Sequence, residues 1–142
     1  METTKDEIRQ VTERYYNTFN QAVNGDPGAF LEFWSRGPDV VLMTAGGDTA
    51  VGWDAVRENI EDIPAAFSGH FTYRDLTISV MDDFAYTACV EQAEFSAAGE
   101  VRSADHRATH LFHREAGEWK VVLRHADVNP ALAELIQRLR AA

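Results

Sequence analysis

Cysteine is nearly absent from the 142-residue chain: Cys89 stands alone, so no internal disulfide can staple the fold. Set in an apolar strand, that thiol reads as buried and inert rather than nucleophilic. Long apolar runs are missing too. None approaches the ~20 residues a bilayer-spanning helix needs, and the opening METTKDEIRQ lacks the basic and apolar regions of a signal peptide. A cytoplasmic protein with no membrane contact is the expectation. Basic residues are scarce, with 13 Lys and Arg against 23 Asp and Glu and a net charge of -10. They are scattered singly, and without a basic stripe there is nothing to hold a phosphate backbone, which argues against nucleic acid. No glycine-rich phosphate loop occurs either, since Gly46-Gly47 reads as a hairpin turn. Repeats, low-complexity segments and linkers are also lacking, so residues 1–142 are expected to form one domain.

What the chain does have is pattern. Apolar residues at Ile8, Val11, Tyr15, Phe19 and Ala22 recur at helical spacing until Asn24-Gly25. Asp26-Pro27 reads as the N-cap and first position of a second, short helix carrying Phe30, Phe33 and Trp34. Asp54 caps a third helix, with Val56, Ile60 and Ile63 on one side and Pro64 as its stop. Strand formers then dominate. His70 to Met81, Phe84 to Ser96, Val101 to Arg114 and the arm after Gly117 form an antiparallel meander, with turns at Asp82-Asp83, Ala98-Gly99-Glu100 and Glu115-Ala116-Gly117-Glu118. Asn129-Pro130 opens a C-terminal helix with Leu132, Leu135, Ile136 and Leu139 on one face. Early helices and late strands give an α+β class, with helices packed on one face of the sheet.

Alternation assigns the strand faces. His106, Ala108, His110 and Phe112 share one face of their strand. On the last strand Trp119, Val121, Leu123, His125 and Asp127 fall on one side and Lys120, Val122, Arg124 and Ala126 on the other. Phe84 to Ser96 is apolar on both sides, with Tyr86, Ala88 and Val90 opposite Cys89, Ala93 and Phe95. Helices on one side and a second subunit on the other would account for that, so a homodimer through the outer face of the sheet is the simplest inference.

The order of these elements, with VGWDAVRENI as third helix and FHREAGEWKVVLRHAD as closing hairpin, resembles the nuclear transport factor 2-like superfamily over roughly residues 4 to 128. The similarity is greatest to the SnoaL-like proteins and the association domain of calcium/calmodulin-dependent protein kinase II, on Ala88-Cys89-Val90, Thr109, His113, Arg114, Gly117, Trp119 and His125. The resemblance implies a cone: a curved antiparallel sheet wrapped around three N-terminal helices, plus the C-terminal helix, with a pocket inside. It also implies a small-molecule ligand and no cofactor. Ketosteroid isomerase in this superfamily uses a helix-1 tyrosine, which Tyr15 matches, and an aspartate base, where this chain has Met43 or Thr44. The pocket arginines of the kinase domain correspond to Glu94, His110 and Ala126.

On that alignment Glu94 and His110 face the pocket from adjacent strands, and a carboxylate beside an imidazole suits proton transfer in an isomerase, dehydratase or cyclase acting on a hydrophobic, oxygenated, polyketide-like substrate. The same two residues also read as a strand-to-strand ion pair that only satisfies buried polar groups. Gln92 and His106 join them as expected ligand contacts. Tyr15, Phe30, Trp34, Trp53 and Phe67 read as core or as an apolar lining selecting a ring-bearing ligand. His106 and His110 stand four apart on a strand, ~13 Å at the strand rise, too far to share a metal ion, so no metal is expected. A non-catalytic ligand-binding or oligomerisation module is the alternative function.

Overall fold

The computed structural model describes residues 4–97 and 99–141. The elements run α1 (Thr4–Val23), α2 (Gly28–Phe33), β1 (Val41–Met43), β2 (Thr49–Val51), α3 (Trp53–Glu61), β3 (Ser68–Met81), β4 (Phe84–Ala97), β5 (Glu100–Glu115), β6 (Glu118–Ala126) and α4 (Pro130–Ala141). They build an α+β structure on a curved, six-stranded, unclosed sheet in the order β2-β1-β6-β5-β4-β3. Four strands form the expected meander. The sheet is not wholly antiparallel, because β1 pairs parallel with β6, Leu42 opposite Arg124. The turn residue Ala98 lies outside the described residues.

Local chemistry accounts for most boundaries. Pro27, rather than Asp26, occupies the cap position of α2, so the helix starts one residue later than expected, and Trp34 leaves it as an extended residue bridged to Val121. Gly52, at φ 86°, precedes α3 in a conformation costly for any residue with a Cβ. Ala116 and Gly117 both have positive φ, as a two-residue hairpin turn whose twist matches its strands requires.

Two bulges bend the sheet. One lies in β3 between Arg74 and Thr77, with Asp75 at φ 57°. The other lies where Leu111 pairs with Leu123 but Phe112 pairs with Val121, leaving Val122 as an extra residue in β6. A bulge breaks the period of two. Trp119 and Val121 point inward before it, Arg124 and Ala126 after it, and His125 is exposed. This corrects the face expected from strict alternation, which set Arg124 opposite Trp119.

The concave face holds the core. Ala85, Cys89, Ala93 and Phe95 of β4 are buried beneath the helices, while Phe84 and Tyr86 stay exposed on the convex side. The long edge strand β3 is covered by α1 through side-chain amides. Asn20 donates to the Phe71 carbonyl at 2.9 Å and accepts from its N–H at 2.8 Å, and Asn24 makes the same pair of bonds to Gly69. An otherwise open ladder is thereby capped. Among the described residues no helix is long and apolar enough to cross a membrane.

Candidate functional site

Inside the cone four charged or ionisable side chains are packed among apolar ones: Glu91 of β4, His106 and His110 of β5, and Arg124 of β6. Strand register brings them together. Glu91 is the cross-strand neighbour of His106, and His110 is that of Arg124. Arg124 donates from Nη1 to Glu91 Oε2 at 2.6 Å and from Nη2 to Oε1 at 2.9 Å. Tyr16 donates its hydroxyl to Oε2 at 2.7 Å, and His106 Nε2–H donates to Oε1 at 2.7 Å. Four donors saturate the carboxylate. Burial alone would raise the Glu91 pKa, but the charge and hydrogen bonds of Arg124 hold it well below the usual range. For Arg124, burial is likewise outweighed by Glu91, which keeps the guanidinium charged.

His110 is held neutral by its surroundings. An arginine can only donate, so the contact of Arg124 Nη1 with His110 Nε2 at 3.0 Å consumes that ring nitrogen's lone pair. Burial, then the charge of Arg124, push the His110 pKa down to about 3, against the opposing pull of Glu91. His106 accepts at Nδ1 from Asn129 Nδ2 at 3.2 Å, and the Asn129 carbonyl oxygen in turn takes the Leu132 N–H at 3.3 Å in the first turn of α4. Asn129 thus links the network to the C-terminal helix.

A cavity of about 90 Å³ opens on the outer side of this network. Arg124 forms its one charged floor group, and Phe19, whose ring lies 4.7 Å from the guanidinium carbon, covers part of it. The walls are apolar: Val23, Phe30, Leu42, Ile60, Phe67 and Phe71. Asp48 lies at the mouth, and α4 roofs the space with Leu132, Ile136 and Arg140.

The expected site residues separate against this geometry. Phe30 and Phe67 line the cavity. His106 and His110 lie inward as alternation requires, but in the network rather than on the cavity wall. Glu94 does not meet His110. It is exposed on the convex face, opposite Ser103 on β5, whereas His110 is opposite Thr87. Gln92 is exposed on the same outer face. The inward face of β4 is the odd-numbered one, so the carboxylate beside the histidines is Glu91. Tyr15 and Trp34 are core: the Tyr15 ring lies tilted at 52° against His110, centroids 4.2 Å apart, and among the described residues neither the Tyr15 hydroxyl nor the Trp34 indole N–H has a hydrogen-bond partner. Trp53 is half-buried against the core, away from the cavity, with the Arg36 guanidinium carbon 4.9 Å from its ring.

Sequence reasoning passed over Glu91, Arg124 and Asn129. A signal was present for the first two, each a lone charge inside an apolar strand, in TACVEQ and VVLRHA. Such a charge is either on the exposed face or paired in the core. Cys89 is buried and its thiol pKa raised, chiefly by desolvation. Among the described residues no group of three or more His, Cys, Asp or Glu is arranged to hold a metal ion.

The SnoaL-like domain family matches residues 8–128. No curated protein matches the sequence. Solved structures of similar fold include a nuclear transport factor 2-like superfamily protein from Salmonella enterica (TM-score 0.75, 17% identity, covering 87% of this chain and 89% of that one). A candidate dehydratase of the same superfamily from Streptomyces avermitilis has a TM-score of 0.75 at 22% identity, over 89% of this chain and 99% of that one. The association domain of the Caenorhabditis elegans calcium/calmodulin-dependent kinase II has a TM-score of 0.65 at 16% identity, over 88% and 95%. The chain belongs to the SnoaL-like family, and its fold is that of the nuclear transport factor 2-like superfamily.

Proposed function

We propose that this protein binds a small, neutral, ring-bearing molecule through one hydrogen-bond-accepting oxygen, and that it does so as a homodimer joined through the convex face of the sheet. The observation that carries the first part is the pairing of an apolar cavity with a charge-compensated arginine at its floor. The bonds to Glu91 and His110 use three of the five guanidinium hydrogens, so donors remain for a ligand carbonyl or hydroxyl. A ligand carboxylate is disfavoured, because Glu91 already balances Arg124 and a second anion would be buried without a counter-charge. The dimer rests on Phe84, Tyr86 and Met81, large apolar side chains exposed on or beside the convex face.

A second reading, cofactor-free isomerase, dehydratase or cyclase chemistry on an oxygenated ring, is favoured by Asp48, a carboxylate at the mouth of the cavity that Arg124 also lines. Arg124 would polarise the carbonyl and Asp48 would move the proton. Glu91 and His110 do not take that role, since one is saturated by donors and the other has its lone pair bound to Arg124.

The test is a titration of phenyl alkyl ketones and 4-alkylphenols against the matching benzoates, followed through the methyl signals of Leu42 and Ile63. Binding of the neutral series, weakened by filling the cavity with Ile60→Trp, is the expected result. Equal binding of the benzoates, or indifference to Ile60→Trp, overturns the reading. Deuterium exchange at the ketone α-carbon in D₂O, abolished by Asp48→Asn, would establish the catalytic version.

A further inference from the structure

The family match ends at residue 128, and the next residue, Asn129, begins the connection into α4. The helix that roofs the cavity therefore lies outside the matched residues, and its attachments are of two kinds. On one side Arg138 binds Glu100 at 3.0 Å, while Arg102 holds the Ala131 carbonyl at 3.2 Å, fastening the helix to β5. Over the mouth, Arg140 pairs with Asp48 at 2.7 Å, with both side chains more than a third exposed. Beneath that pair Ile136 and Leu132 close the apolar space.

The volume makes this roof matter. The cavity measures about 90 Å³, whereas an engineered protein cavity that encloses benzene has ~150 Å³. A ring is fully enclosed only if something gives. The walls from α1, α3 and β3 are integral to the core, whereas the end of α4 is held over the mouth by an exposed ion pair, of a kind worth little in water, with Ile136 and Leu139 only partly buried beside it.

Resting on the binding function proposed above, we infer that α4 is the specificity element of the pocket: the Arg140–Asp48 pair latches its end over the mouth, and Ile136 sets the length of ligand that fits beneath it. Chain-length preference then belongs to a segment outside the residues that the family model matches. Ligand affinity and helix docking are also coupled, because the ligand must displace or lift the same side chains that close the roof.

The experiment uses the full-length chain and a 4-alkylphenol series from phenol to 4-butylphenol. Binding is measured calorimetrically, and amide hydrogen exchange of α4 is measured without any probe. Circular dichroism confirms folding of each variant. Ile136→Ala should favour the longer phenols, by about fourfold for each added methylene that the vacated space accepts, and leave phenol itself unchanged. Arg140→Gln should speed exchange across the last turn of α4 but not in α1, and raise the association and dissociation rates together. The same chain-length preference in the parent and Ile136→Ala, with binding intact, overturns α4 as the specificity element while the pocket reading stands. Absence of binding by every phenol to every variant, including Arg140→Gln, overturns the pocket reading and this inference with it. Unchanged α4 exchange in Arg140→Gln overturns the latch.

Discussion

Glu91 and Arg124 form a two-pronged ion pair across an intervening strand: one sits on β4, the other on β6, and they meet over β5 between His106 and His110. Neither side chain is exposed. Separating the two leaves one charge in the core with no counter-ion, which is costlier than never having buried the pair. Glu91→Gln should therefore lower unfolding stability by about 3–5 kcal/mol. Glu91→Gln with Arg124→Met should be less destabilised than the two single changes added together. Urea unfolding of the four proteins measures this, and strict additivity would show that the pair carries no coupling.

His110 makes stability depend on pH in a definite direction. Its pKa is about 3 in the folded protein and ordinarily 6.5, so between those values the unfolded chain binds a proton that the folded chain refuses. Its contribution is complete above pH 6.5 and is lost as the pH falls toward 3, with a slope of up to about 1.4 kcal/mol per pH unit. Glu91, whose folded pKa is also lowered, acts in the same sense below its ordinary value of 4.5. His110→Gln should flatten the melting temperature between pH 6 and 5, where Glu91 contributes little. An unaltered pH profile would mean that His110 is protonated in the native state.

The convex face supplies a third test. Tyr86 points away from the core and is 37% exposed, so Tyr86→Glu should leave the circular dichroism spectrum intact. The same change should shift the sedimentation coefficient from that of a dimer to that of a monomer. A parent protein that is monomeric at every concentration would remove the proposed interface.

Much of the fold could be read from residue order because its elements obey simple periods. The helices keep theirs, β4 and β5 alternate, and Gly117 marks its turn. The site was less legible for two physical reasons. The apolar character of β4 on both faces hid which parity points inward, so Glu94 was paired with His110 although Glu91 is the buried carboxylate. In β6 the extra residue Val122 reverses the alternation without any glycine or proline to announce it, and this moved Arg124 to the wrong face. Both errors concern side-chain direction, which strand register settles and composition does not. Cavity closure by α4 depends on tertiary packing, which the helical period of that segment cannot express.

The parallel pairing of β1 with β6 governs when the molecule can assemble. The last strand of the sheet to be synthesised lies in its interior, between β1 and β5, so the β1–β2 hairpin has no seat until about nine-tenths of the chain has left the ribosome. Closing so long a loop is slow. Helices α1 to α3 and the β3–β4–β5 meander can form first as a local unit, with Glu91 waiting in a core that lacks its cation. In pulse-labelled refolding the amides of β1 should gain protection together with those of β6, later than those of β4, and protection of β1 before β6 would refute this order.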